Sequence, residues 1–174
     1  MAKIKESRVN IYIVDDDEMS LKILKNKFSS CSGYRVFTYK NARDFIEEFN
    51  RFPFAKRHVH IVILDYVLNH ANYEGNGIDI LKKVKEINSQ VEIIILSGLE
   101  DVDVASTAIK SGAVAYIKKN ENSYLRIQNQ VKYVISQKSL SMSKHHNIIA
   151  RVAFVASIVV LAVFAVIVFF TDIL

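Results

Sequence analysis

The sequence predicts an α/β domain built on a parallel sheet with helices on both faces, followed by one helix apolar enough to cross a bilayer. Three observations carry this. Short Val- and Ile-rich runs alternate with segments of helical period. Acidic or hydroxyl side chains stand at the ends of several of those runs. Residues 152–170 are apolar throughout except for Ser157.

Taken in order, strands are expected at Val9 to Val14, Tyr34 to Tyr39, His60 to Leu64, Val91 to Leu96 and Ala113 to Ile117. Their β-branched content suits burial on both faces, as a parallel sheet requires. Helices are expected at Ser20 to Ser30, Asn41 to Asn50, Ile78 to Asn88, Val102 to Ser111 and Asn122 to Gln137. Gly33 and Gly112 fall where two of them should end, because glycine adopts the left-handed conformation that closes many helices. The polar stretch Ser136 to Asn147 either forms a hinge or continues the last helix.

In an open α/β sheet, residues that bind ligands gather at the carboxyl ends of the strands. Here the first strand runs into Asp15, Asp16 and Asp17, the third into Asp65, the fourth into Ser97, and the fifth into Lys118 and Lys119. Carboxylates brought together repel one another and need a cation, and hard oxygen donors suit Mg2+.

Charge and composition narrow the classes further. The formal net charge of +5 is unevenly placed: residues 1–131 hold 19 basic and 17 acidic side chains, while 132–151 hold Lys132, Lys138, Lys144 and Arg151 and no acid. A basic stretch directly before an apolar run reads as the cytoplasmic flank of a membrane helix, so no nucleic-acid partner is expected. The single Cys31 makes no internal disulfide, which fits a reducing compartment.

The nineteen residues 152–170 span about 28 Å as a helix, close to the thickness of a bilayer core. The opening MAKIKESRVN has no long apolar stretch, so a signal peptide is not expected. Only Thr171 to Leu174 follow the run, which would leave the rest in the cytoplasm. Ala153 and Ser157, small residues four apart, offer one face on which two such helices could pair. The expected divisions are a domain at 8–138, a basic juxtamembrane segment at 139–150 and a transmembrane helix at 151–171.

Four motifs, IYIVDDDE, IVILDYVL, IIILSG and SGAVAYIKK, stand at four expected strand ends in order. Together they resemble the receiver domain of two-component response regulators, over about residues 8–138. The resemblance implies a flavodoxin-like doubly wound sheet of order 2-1-3-4-5. It implies that Asp65 is the phosphoacceptor and that Asp15 and Asp16 are the acidic pair. Mg2+ would be held by Asp16, Asp65 and the backbone carbonyl of Val67, with Asp15 acting largely through water. Ser97 and Lys119 would bind the phosphoryl group, and Tyr116 would be the switch aromatic. Lys119 is preferred to Lys118 on its spacing from Gly112 and on strand alternation. The implied partners are a histidine kinase or phosphotransfer protein and, given the apolar run, the bilayer and a membrane-protein target. The expected protein is thus a membrane-tethered regulator of a phosphorelay, in a bacterial plasma membrane as the resemblance implies, acting by protein contact rather than as an enzyme. A docking module that uses the same fold without phosphorylation is the alternative.

The sequence departs from the family at three places. Asn69 stands where the family has a proline four residues beyond the phosphoacceptor, and the loop through His70, Ala71, Asn72, Tyr73, Glu74 and Gly75 to Asn76 is about four residues longer. Its composition reads as an exposed turn, although Tyr73 or Glu74 could reach over the site. Asn120 replaces the proline after the lysine, so a trans peptide is expected there. Val67 and Leu99 put apolar side chains where the family flanks the route of hydrolytic water, which implies slow loss of the phosphoryl group. The histidines, His58, His60, His70, His145 and His146, show no metal-ligand spacing and are expected to be solvated or packed.

Overall fold

A computed structural model of the chain describes residues 4–31, 33–54, 58–68, 75–98, 101–141, 154, 156 and 157. Five strands, β1 (Val9–Val14), β2 (Arg35–Tyr39), β3 (Val59–Asp65), β4 (Glu92–Ser97) and β5 (Ala115–Lys118), alternate with α1 (Glu18–Cys31), α2 (Ala42–Asn50), α3 (Gly77–Ile87), α4 (Val102–Lys110) and α5 (residues 123–141). All strand pairs are parallel and the order is β2-β1-β3-β4-β5, as the resemblance implied. Residues 4–136 form one compact unit with its own core.

The central strands are buried on both faces: every residue of β1 and β3 is buried. Alternation sends Tyr12, Val14, Val62, Leu64, Ile93 and Ile95 into a cluster with Phe45, Phe49, Leu81, Val84 and Ala108 of α2, α3 and α4. Ile11, Ile13, Ile61 and Ile63 are buried on the other face. There α1 and α5 meet through the Phe28 and Tyr124 rings, 5.9 Å apart.

Most element limits fall within one or two residues of the sequence expectation, and two of the shifts follow from how helices begin and end. Helix α1 begins at Glu18, since the Asp17 carboxylate accepts the N–H groups of Met19 (3.0 Å) and Ser20 (3.2 Å). Strand β5 begins at Ala115 because Gly112 and Ala113 close α4. Gly112, at φ +102°, donates to Ile109 O and Ala113 donates to Ala108 O, both at 3.0 Å, the paired bonds of a Schellman motif. Gly33 also follows a helix, but its backbone is not left-handed; its N–H donates to Glu6 Oε2.

Helix α5 returns from the carboxyl edge of the sheet to the amino edge. Gln130, at its middle, already donates to Val114 O just before β5, at 3.4 Å. No helix among the described residues is long and apolar enough to cross a membrane. The predicted span at 151–171 lies outside the described residues except for Phe154, Ala156 and Ser157, and the flanking segment lies outside them from residue 142.

A buried polar group sits at the amino end of β3. His60 Nδ1 lies 3.0 Å from the Tyr12 hydroxyl and 3.3 Å from Asn10 Nδ2, both donors, which places the ring proton on Nε2. Phe52 and Phe54 stand edge-on to the imidazole. Burial, reinforced by the neighbouring His58 and Arg35, pushes His60 down to about 4. The unfolded chain, whose imidazole titrates near 6.5, binds one more proton between those values. Stability is therefore fully present above that window and falls as pH drops through it, by up to about 1.4 kcal/mol per pH unit. Urea unfolding from pH 4.5 to 7.5 should show this slope in the wild type and a flatter one in His60→Leu; an equal slope in both would assign the acid sensitivity to other groups.

Candidate functional site

Three strands and one loop deliver the charged groups to the carboxyl edge. Asp15 follows β1, Asp65 ends β3, and Lys119 follows β5. The backbone fixes Lys119 by donating its N–H to Ser97 O at 2.7 Å, so the chain leaves β5 in register with the end of β4. Its ammonium then donates to Asp65 Oδ2 at 2.7 Å and to Asp15 Oδ2 at 2.9 Å.

The same carboxylates accept further hydrogen bonds. Asp15 Oδ1 accepts the Asp17 N–H at 3.0 Å, and Oδ2 accepts the Ser20 hydroxyl at 2.9 Å. Asp65 Oδ1 takes the Val67 N–H at a long 3.4 Å. Asp15 and Asp65 are only 1% and 5% exposed, whereas Asp16 is half-buried. Burial, with a smaller contribution from the Asp15 charge, pushes the Asp65 carboxyl above the usual range against the opposing pull of Lys119. Burial alone would lower Lys119, but its hydrogen bonds and charge interactions with Asp65 and Asp15 outweigh that and hold the ammonium charged.

The structure thus brings together Asp15, Asp16, Asp65 and Lys119. Ser97 is fully buried at the end of β4, one residue beyond Leu96, the register partner of Asp65. Tyr116 is half-buried on β5 opposite Ile95. The Val67 side chain is 41% exposed beside the site. Leu99 and the loop residues 69–74 lie outside the described residues. One carboxylate oxygen each from Asp15, Asp16 and Asp65 lie within 4.8 Å of one another. That set of hard oxygen donors fits a magnesium ion.

Sequence reasoning missed three residues that set this geometry. Asp17 belongs to α1 as its cap, a role that an acid just before a helix signals. Ser20 orients Asp15, and no sequence pattern marks it. Gly77 is the third. Its N–H donates to Tyr66 O at 2.9 Å, and a Cβ there would stand 2.7 Å from Asp65 O and 2.8 Å from Tyr66 Cα. Only glycine lets α3 start against the backbone of Asp65. The start is pinned by a capping box in which Asn76 accepts from Asp79 N–H and Asp79 from Asn76 N–H.

Comparison with known proteins places the chain in a family. Residues 11–130 match the response regulator receiver domain, and the chain belongs to that family. It is 34% identical over 109 residues to the response regulator protein TodT of Pseudomonas putida, covering 63% of this chain and 44% of TodT. The chain therefore spans less than half the length of that relative. Among solved structures it is similar to a receiver domain protein of Methanospirillum hungatei, with TM-score 0.65, 21% identity, and 76% of this chain and 97% of the other covered. It is also similar to the response regulator DrrB of Thermotoga maritima, with TM-score 0.59, 26% identity, and 74% and 53% covered.

The contact at Gly77 is open to direct test. Gly77→Ala should lower the unfolding free energy by about 1–3 kcal/mol, the usual cost of forcing an extra methyl into a packed site. Denaturant titration reads this directly, and an unchanged midpoint would show that α3 can withdraw without loss.

Proposed function

We propose that this receiver domain accepts a phosphoryl group on Asp65 from the phosphohistidine of a kinase or phosphotransfer protein, and that a C-terminal apolar helix tethers it to a membrane. The observation that carries the first part is the Lys119 ammonium shared by two buried carboxylates within an acidic cluster. In the transfer, a carboxylate oxygen of Asp65 bonds to phosphorus while the bond from phosphorus to the donor imidazole breaks, leaving an acyl phosphate. Magnesium, when bound by Asp16, Asp65 and the Val67 backbone carbonyl, supplies positive charge to the transferring oxygens. Lys119, already beside Asp65, offers its protons to the same oxygens. The hydroxyl of Ser97 holds a phosphoryl oxygen, and its shift lets Tyr116 turn inward and remodel the face formed by α4 and β5.

The apolar run supports the second part, with the basic residues before it setting orientation. Tethering concentrates the domain near membrane-bound kinases and targets. Output is then by protein contact, without turnover of a substrate by this chain. Val67 cannot orient water, which supports a long-lived acyl phosphate.

Intact mass after incubation with magnesium and acetyl phosphate tests the acceptor. One phosphate should add to the wild type, none to Asp65→Asn, and none when the metal is chelated. Absence of any adduct would favour a docking module in its place. On removal of the donor, the adduct should persist for many minutes; its disappearance within seconds would refute slow hydrolysis.

A further inference from the structure

The run Asp15, Asp16, Asp17 and Glu18 brings four consecutive carboxylates to the phosphoacceptor edge, and the fold treats each differently. Asp17 caps α1 through the N–H groups of Met19 and Ser20. Glu18 pairs with Lys40 and Lys22 on the surface. Asp16 is half-buried and pairs with no cationic side chain among the described residues. Asp15 accepts from the Lys119 ammonium, the Ser20 hydroxyl and the Asp17 N–H. Of these three donors, the Ser20 hydroxyl belongs to neither the charged cluster nor the backbone.

A hydroxyl within a helix ordinarily faces water or bonds to the backbone one turn earlier. Thr107 does the latter, donating to Asp103 O at 2.8 Å. Ser20 instead reaches five residues back and donates to Asp15 Oδ2 at 2.9 Å, the same oxygen that accepts Lys119 Nζ at 2.9 Å. The Asp17 cap makes this reach possible: its carboxylate takes the Ser20 N–H at 3.2 Å, which folds the first turn of α1 back toward the end of β1. Asp15 is 1% exposed, so bulk water is a poor substitute for a donor lost there.

We propose that Ser20 is a positioning residue for the cation site, its hydroxyl holding the Asp15 carboxylate in the orientation that completes the cluster with Asp16 and Asp65. This deepens the phosphoacceptor reading above and rests on it for the part Ser20 plays in transfer. Lys119 is an incomplete anchor for Asp15, because its ammonium is shared with Asp65 at 2.7 Å and, in the transfer, its protons are offered to the phosphoryl oxygens. When Lys119 turns to them, Asp15 Oδ2 keeps the Ser20 hydroxyl and Oδ1 keeps the Asp17 N–H. Without the hydroxyl, one backbone amide is left to fix a buried carboxylate that must stay beside two others. Side chains that hydrogen-bond a carboxylate at a metal site commonly change affinity by about tenfold or more without touching the ion.

The test compares the full chain with Ser20→Ala, which removes the hydroxyl, and Ser20→Thr, which keeps it. Calorimetric titration with magnesium chloride alone, without any phosphoryl donor, should show affinity weakened about tenfold in Ser20→Ala and restored to near the wild-type value in Ser20→Thr. With acetyl phosphate, the magnesium concentration giving half the maximal rate of phosphate addition should rise by about the same factor in Ser20→Ala, while the rate at saturating magnesium stays within about twofold of wild type. A merely structural role would not separate these two quantities, nor be rescued by threonine. Unchanged magnesium affinity in Ser20→Ala, equal weakening in both variants, or a lower plateau with unchanged half-saturation would overturn the proposal, as would a wild type that binds no magnesium. The two readings fail separately. A wild type that takes no phosphate, while Ser20→Ala still weakens magnesium binding and Ser20→Thr restores it, sinks the phosphoacceptor reading alone; phosphate on Asp65 with equal magnesium affinity in all three chains sinks the role of Ser20 alone.

Discussion

One ammonium group between two buried carboxylates is the constraint on which the rest of this structure depends. Asp15 and Asp65 arrive from adjacent strands and are almost fully buried, so without Lys119 two like charges would share a poorly solvated edge. Removing one partner from a buried charge cluster commonly costs several kcal/mol. The hydroxyl of Ser20 and the amides of Asp17 and Val67 satisfy further lone pairs, but they carry no full charge to offset the repulsion. The strand order follows a related logic: β1 and β3 must be neighbours for the carboxylates to meet, and β4 must hold β5 at the level where Lys119 can reach them.

The same edge shows how local caps place chemistry. Asp17 caps α1 and thereby brings Ser20 onto Asp15, so a helix start also orients a site residue. Gly112 ends α4 tightly enough for Val114 to pair with Ile93, which sets the height of β5 and hence of Lys119. These are short-range effects with long-range results.

Much of this was legible in the sequence because it depends on patterns of few residues. The limits of β1 were read correctly, since two-sided burial demands an unbroken apolar run that an acidic triplet then ends. The gathering of Asp15, Asp16, Asp65 and Lys119 was legible because strand ends in a parallel sheet share one edge. Less legible was everything that depends on packing between distant segments. Nothing local told that Asn10, Tyr12 and His60 share a buried polar network, because it exists only through the pairing of β1 with β3. Nor did Gly77 declare its contact with Asp65, because twelve positions separate the two and the close approach is a property of the folded backbone.

That approach has a consequence for how such a protein can diversify. The bond from Gly77 N–H to Tyr66 O clasps the chain on both sides of the segment that joins β3 to α3. Whatever lies within the clasp is closed off at its base, and lengthening a closed loop costs little, about 0.6 kcal/mol for each doubling. Extra residues in that segment are therefore cheap for the fold to carry. Their identity and number can vary at little cost to the strand and the helix that the bond joins. The same clasp marks a place where an epitope or reporter peptide could be spliced into the chain.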